Sequence, residues 1–410
     1  MEEPTLVIIG GGLGGAKAAE ALRDRGYAGP IVLVSEENHL PYERPPLSKD
    51  YLAGEKSLAS FTTLDSDWYH DHDIDLRLGT RATAIDRSAR RVLFADGASV
   101  PFGKVLLATG SRSRRPDLAG CDAAGVHYLR TVDDASVLKA KLADCRSLAV
   151  VGGGWIGLEV AAVARQRGAR VTVVEMAAVP LMGALGEEAG AVFAEMHRDH
   201  GVDLRLNAKV SEITTKADVA RGIRLADGSL VDADAVLVAA GAQPNIELAE
   251  RAGLETEGGG VVVDAALRSS DPDIFAVGDV AAAWNPVLGA RVRTEHWANA
   301  LKQPAVAAAG MLGTPGTYDE LPYFFTDQYD LAMEYVGFAP DYRRVVFRGD
   351  VSGREFIAFW LDEADRILAA MAVNVWDVLD DIKALIRGRE AVDTDRLRDD
   401  HQPIGELLSA

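Results

Sequence analysis

Gly10, Gly12 and Gly15 follow the apolar run Leu6-Val-Ile-Ile9, with Gly14 beside the third, and the same G-x-G-x-x-G spacing returns at Gly152, Gly154 and Gly157 after Leu148-Ala-Val-Val151. Glycine at these places has three uses: a tight strand-to-helix turn, close approach of backbone to a pyrophosphate, and close packing of helix on strand. A helix that starts there turns free N–H groups and a partial positive charge toward phosphate. Each copy leads to a second apolar strand closed by an acid, Ile31-Val-Leu-Val34 with Glu36 and Val171-Thr-Val-Val174 with Glu175. A carboxylate at that point can accept both hydroxyls of a ribose. The chemistry implied is dinucleotide binding at two sites. At the second, Glu175 repels a 2′-phosphate and Met176-Ala-Ala178 offers no arginine to receive one, so NADH is expected over NADPH.

The elements that must position these residues follow the repeat. Each glycine turn opens a helix, predicted over Ala16 to Arg25 in the first copy and ending at Arg167 in the second. Val105-Leu-Leu-Ala-Thr-Gly110 and Ala235-Val-Leu-Val-Ala-Ala-Gly241 read as buried closing strands, each ending in glycine. Asp96-Gly97 and Asp227-Gly228 mark hairpins between alternating strands. A further strand, Ile274 to Val277, delivers Asp279 at a glycine turn. Past residue 323 the pattern changes to alternating aromatic strands, predicted over Leu331 to Phe338, Arg343 to Phe347, Glu355 to Leu361 and Arg366 to Val373. A helix over Val375 to Arg387 and a polar tail follow. The expected organisation is one dinucleotide-binding domain from 1–115 and 247–322, a second from 116–246, and an α+β domain over 323–410.

At 410 residues the chain is long enough for two or three domains, and 48% hydrophobic with 26% charged residues is the profile of a globular protein. Disorder, collagen and coiled coil are excluded. A net charge of −19 makes nucleic acid a poor partner, although a local basic docking patch is compatible with it. Cys121 and Cys145 fit neither a metal cluster nor a redox pair, and both are expected to pack as small apolar residues in a reducing cytoplasm. The start, Met1-Glu-Glu-Pro-Thr5, is unlike a targeting peptide, and no apolar run approaches the ~18 residues of a membrane span.

Six further stretches make the chain recognisable: Leu40-Pro-Tyr-Glu-Arg-Pro-Pro-Leu-Ser-Lys49, Ala108-Thr-Gly110, Gly152-Gly-Gly-Trp-Ile-Gly-Leu-Glu159, Asp271 to Asp279, Arg293-Thr-Glu-His-Trp-Ala-Asn299 and Pro322-Tyr-Phe-Phe-Thr-Asp-Gln328. Over essentially its whole length it resembles the FAD- and NADH-dependent ferredoxin reductases that serve bacterial oxygenases, within the glutathione-reductase-like flavoproteins. The resemblance implies an α/β fold of two Rossmann-type domains plus the C-terminal α+β domain, with FAD at the first fingerprint and NADH at the second. Residues matching Glu36, Lys49, Ala82, Arg130, Asp279 and Trp297 touch FAD, and those matching Glu159, Glu175, Gly241 and Phe325 touch NAD. A lysine matching Lys49 pairs with the glutamate matching Glu159 where nicotinamide meets flavin. Read from the helix alone, Glu159 is also a first-turn acid favoured by the dipole.

Disulfide reductases of this superfamily carry a redox thiol pair after the first strand–helix–strand unit, whereas here no cysteine precedes Cys121. Electrons are therefore expected to leave directly from the flavin, one at a time, to a two-iron two-sulfur ferredoxin feeding a monooxygenase or dioxygenase. No metal site, no membrane association and a monomer or weak dimer complete that expectation. Other outputs on the same two fingerprints are an NADH sensor like apoptosis-inducing factor, or a reductase of nitrite or monodehydroascorbate type. Phe325 stands where the family usually has tryptophan, which keeps apolar stacking but loses the indole N–H. The run Tyr323-Phe-Phe325 also has a plain core-packing explanation. A basic rim for an acidic partner has three sources: Arg112, Arg114 and Arg115; Arg291 and Arg293; or Arg343 and Arg344.

Overall fold

The computed structural model describes residues 3–407, so Met1 and Glu2 of the acidic start lie outside the described residues. Contacts group the chain into two units. The first holds Met1–Glu43, Leu58–Arg112 and Gln243–Pro322; the second holds Arg44–Ser57, Ser113–Ala242 and Tyr323–Ala410.

In the first unit, five parallel strands run in the order Ile274–Ala276, Lys104–Leu107, Leu6–Ile9, Ile31–Val34, Ile74–Arg77. The side chains of the three central strands are buried on both faces, Lys104 apart, which is why these segments read as unbroken apolar runs, whereas the edge strand Ile74–Arg77 leaves Asp75 exposed. Leu6, Ile8, Leu33, Leu106 and Phe275 form its fully buried centre, each contributing about 1.5–3 kcal/mol of burial. The helix after the glycine turn spans Leu13–Asp24, beginning three residues before its sequence-predicted start because Gly12 itself is the N-cap. The hairpin at Asp96-Gly97 closes a three-stranded antiparallel meander, Ala82–Asp86, Arg91–Phe94 and Ser99–Pro101.

The second unit repeats the plan. Its parallel sheet runs Asp203–Arg205, Arg170–Val174, Ser147–Val151, Ala235–Val238, Val126–His127, and its meander is Val210–Lys216, Val219–Leu225, Leu230–Asp232. Helix Val132–Asp144 is entered through a capping box in which the Thr131 hydroxyl accepts from the Asp134 N–H and the Asp134 carboxylate accepts from the Thr131 N–H. A five-stranded antiparallel sheet lies in the same unit, ordered Tyr323–Gln328, Leu331–Gly337, Ile367–Val373, Glu355–Leu361, Arg344–Asp350.

One expectation for the C-terminal region, the start of its helix, needs correction, and two elements are added to it. Tyr323–Gln328 is a strand, paired antiparallel with Leu331–Gly337 from Tyr323 opposite Val336 to Gln328 opposite Leu331. The helix expected from Val375 begins only at Leu379, because Asn374 (φ 52°) and Asp377 (φ 62°) hold the left-handed conformation and block helical continuation. The polar tail contains a short helix, Thr394–Arg398, capped by Asp393.

Candidate functional site

The first unit's glycine turn shows how its phosphate cradle is built. Gly10 sits at φ 124°, and a Cβ there would lie 2.0 Å from the Ala108 carbonyl oxygen, so only glycine fits. A Cβ on Gly15 would meet the Gly10 oxygen at 2.0 Å, whereas one on Gly12 would meet nothing within 4 Å. The middle glycine thus faces open space at a helix N-terminus, the room a pyrophosphate needs. Gly14 makes ordinary contact with Val277 and with Ala300 of helix Trp297–Met311.

Around this cradle, Asp279 is buried in the turn after Ile274–Ala276, and its carboxylate accepts from the Ser111 hydroxyl at 2.6 Å. The turn itself is held by Gln303, whose side-chain oxygen accepts from the Gly278 N–H at 2.7 Å. Trp297 is the first residue of its helix and half-buried. Burial pushes its N-cap neighbour His296 down to about 4 against the opposing charge of Asp279, so that ring is neutral at pH 7. Glu36 is exposed, with Arg81 Nη1 3.7 Å from its carboxylate. Ala82 opens the meander and is half-buried.

The second cradle has the same geometry. Gly152 (φ 107°) would clash with the Ala239 oxygen at 2.4 Å, Gly157 with the Gly152 oxygen at 2.3 Å, and Gly154 again faces open space. Glu175 is braced by two backbone donors, its Oε2 accepting from Gly153 N–H at 2.7 Å and its Oε1 from Ala177 N–H at 2.9 Å. Gly241 is exposed at φ 100° with free space beside it. Arg130 precedes the capping box, and its carbonyl accepts from the Arg44 guanidinium.

Within the same unit, Lys49 and Glu159 come together, Nζ to Oε1 at 3.4 Å, with side-chain exposures of 11% and 9%. Lys49 is delivered by the short 3₁₀ helix Pro45–Ser48, whose prolines pre-set the backbone. Its ammonium also lies 3.8 Å from Asp327 Oδ2 and 4.5 Å from the Phe325 ring centroid. Phe325 is therefore in contact with this cluster.

Glu159 is not a first-turn acid. The helix runs Trp155–Gln166 from a Gly154 N-cap, placing Glu159 a full turn in, on a buried face. Its carboxylate accepts from hydroxyls rather than from orphan helix N–H groups: Ser48 Oγ donates to Oε2, and Thr326 Oγ1 donates to Oε1 at 2.5 Å. Ser48 and Thr326 sit inside stretches noted from sequence, but nothing local marks them as partners of Glu159. Packing brings them in: the Phe324 ring meets Trp155 at 4.8 Å and Tyr335 at 5.0 Å, which pins strand Tyr323–Gln328 to the helix carrying Glu159.

The pyridine nucleotide-disulphide oxidoreductase family model matches residues 4–304, and a reductase C-terminal model matches 323–408. This chain belongs to the pyridine nucleotide-disulphide oxidoreductase family. Within that family it is 43% identical to the ferredoxin–NAD(+) reductase component of the anthranilate 1,2-dioxygenase system of Burkholderia cepacia, over 97% of this chain and 98% of that one. It is 36% identical to putidaredoxin reductase of Pseudomonas putida, over 99% and 97% of the two chains. Among solved structures, the covalent putidaredoxin reductase–putidaredoxin complex matches with a TM-score of 0.95 at 35% identity, covering 100% of this chain and 99% of that one.

Several arginines considered for a partner-facing rim are matched internally. Arg112 donates to Glu247 at 2.5 Å, Arg115 to Asp122 at 3.2 Å and Arg293 to Glu295 at 2.9 Å, while Arg291 lies 3.1 Å from Glu257 and Arg344 pairs with Asp365. Arg114 and Arg343 are exposed. Cys145 is buried with its thiol donating to the Ser147 carbonyl at 3.1 Å, and Cys121 is half-buried. Among the described residues no helix is long and apolar enough to cross a membrane, and no cluster of metal-ligating side chains occurs.

Proposed function

We propose that this chain is an NADH-dependent flavoprotein reductase that passes electrons singly to a two-iron two-sulfur ferredoxin serving an oxygenase. The observation that carries the reading is the pair of phosphate cradles with matching geometry in one chain, each with its middle glycine facing open space. The relatives' names supply the nicotinamide and the ferredoxin. FAD, when bound, supplies the conversion of a two-electron donor into one-electron steps.

The chain's own part is binding and orientation. Gly10, Gly12, Gly14, Gly15, Glu36, Lys49, Ala82, Arg130, Asp279 and Trp297 are the residues that hold the flavin dinucleotide. Gly152, Gly154, Gly157, Glu175 and Gly241 hold NADH, and Lys49, Glu159 and Phe325 place its nicotinamide. No thiol near the first cradle intercepts the electrons, since the first cysteine is Cys121. A cytoplasmic location fits a chain that uses NADH and leaves both cysteines free.

The test is NADH-driven reduction of cytochrome c by FAD-loaded protein, with and without a two-iron ferredoxin and with NADPH in parallel. Strong stimulation by ferredoxin with NADH preferred is expected. Rapid flavin reduction with no stimulation across several ferredoxins would overturn the partner assignment and favour a sensor or a small-oxidant reductase.

Coenzyme choice has its own test. The two N–H groups that brace Glu175 keep its carboxylate in place without help from the ligand. Glu175→Ala removes both the ribose acceptor and the repulsion of a 2′-phosphate, so the NADH-to-NADPH ratio of kcat/KM should fall roughly ten- to hundred-fold. An unaltered ratio would take Glu175 out of the ribose site.

A further inference from the structure

The carboxylate of Glu159 is the end of a longer buried chain. Strand Tyr323–Gln328 alternates faces, so Phe324, Thr326 and Gln328 point the same way, toward helices Trp155–Gln166 and Met182–Asp199. Thr326 Oγ1 lies 2.5 Å from Glu159 Oε1, Gln328 Nε2 lies 3.2 Å from Thr326 Oγ1, and His197 Nε2 lies 2.9 Å from Gln328 Oε1. Thr326, Gln328 and His197 are all buried, His197 completely.

The direction of these bonds follows from the acceptor at one end. A carboxylate only accepts, so the Thr326 hydroxyl proton points to Glu159 and its oxygen is left to receive a donor. The Gln328 amide must then turn its NH₂ to Thr326 and its carbonyl to His197. That carbonyl in turn requires the proton of the imidazole on Nε2, leaving Nδ1 as a buried nitrogen with no hydrogen-bond partner. Three residues on two elements thus donate in one direction, ending on Glu159.

We infer that His197, Gln328 and Thr326 are positioning residues of the nicotinamide site: a one-way hydrogen-bond chain that fixes the rotamer of the Glu159 carboxylate and ties it to the C-terminal sheet. The inference rests on the reading of Glu159 as a nicotinamide-placing group. Charge on the ring does not disturb the chain near pH 7, because burial, reinforced by His200 and opposed by the Gln328 bond, lowers His197 to about 4.

The experiment uses the full FAD-loaded chain and five variants, Thr326→Val, Thr326→Ser, Gln328→Met, Glu159→Ala and, for assignment, His197→Gln. The first readout is the imidazole ¹⁵N spectrum, with His197 assigned by difference from His197→Gln. Wild type and Thr326→Ser should show His197 as the neutral Nε2–H tautomer. Thr326→Val removes the acceptor of the Gln328 amide, which is then free to turn over, and the Nδ1–H form of His197 should gain population although residues 197 and 326 share no direct hydrogen bond. A role confined to packing would leave that tautomer alone.

The second readout is stopped-flow reduction of the flavin by NADH. Thr326→Val and Gln328→Met should lower the limiting rate about ten-fold, with half-saturating NADH moved less than about two-fold and Thr326→Ser restoring the rate. An Nδ1–H tautomer in wild type, or a His197 signal indifferent to both Thr326→Val and Gln328→Met, overturns the chain. Normal limiting rates in both variants beside a slow Glu159→Ala overturn its positioning role and leave the function of Glu159 standing. An unimpaired Glu159→Ala would instead remove the reading on which the role depends. Should Thr326→Val fail to fold, Gln328→Met carries both readouts.

Discussion

Glu159→Ala should slow reduction of the bound flavin by NADH about a hundred-fold in stopped-flow, with a smaller loss in Glu159→Gln. The carboxylate has three partners within its own unit: the Lys49 ammonium at 3.4 Å and the hydroxyls of Ser48 and Thr326. Alanine removes all three at once. Among the described residues the acidic partner left to Lys49 is then Asp327, 3.8 Å away and 60% exposed, so the ammonium is drawn toward solvent and off the Phe325 ring it now overlies at 4.5 Å. A nicotinamide displaced by even an ångström falls out of the near-attack range on which hydride transfer depends. Because both side chains of the pair are about nine-tenths buried, the change also destabilises the fold, by about 1–3 kcal/mol once the remaining Asp327 contact is allowed for. Glutamine preserves shape and one acceptor but no charge, so its rate should fall about ten-fold. A rate in Glu159→Ala equal to wild type, with full FAD content, would remove this residue from the site.

The contrast between Lys49 and His197 shows what the linear sequence can and cannot convey. Both fingerprints are legible because strand, turn and helix are contiguous, and each glycine's role depends on neighbours a few residues away. The pairing of Lys49 with Glu159 was reachable only through resemblance, since 110 positions separate them and neither carries a local signal. The strand Tyr323–Gln328 has no signal in the sequence because aromatics occupy both its faces: Phe324 packs on Trp155 and Tyr335 while Phe325 faces Lys49, so the period of two disappears. The expected start of the helix at Val375 failed for a different reason. Left-handed backbone at Asn374 and Asp377 is a choice that those residue types permit without requiring it. His197 carries no sequence signal that points to Glu159: it lies near the end of a helix, three residues before His200, and its meaning comes from Gln328 across the packing interface.

Two of the three glycines of the second fingerprint, Gly154 and Gly157, should separate binding from folding when each is changed to valine. Gly157 lies where helix meets strand: a Cβ there would be 2.3 Å from the Gly152 carbonyl oxygen, 3.2 Å from Val150 and 3.3 Å from Ala239. Backbone cannot yield by an ångström without moving the helix off the sheet, so Gly157→Val should misfold or lose several kcal/mol. Gly154 has nothing within 4 Å of the same added carbon and takes an ordinary φ of −81°, so Gly154→Val should fold with unchanged FAD content and melting temperature. Its side chain instead fills the space reserved for the pyrophosphate and keeps the ligand from the first N–H groups of helix Trp155–Gln166. NADH affinity should therefore drop by about a hundred-fold or more, measured by titration of the folded variant. Gly154→Val with wild-type affinity would mean that the pyrophosphate does not cross this turn. A folded Gly157→Val would mean that the helix tolerates displacement, and the close approach seen at Gly152 would then not be what fixes the geometry of the cradle.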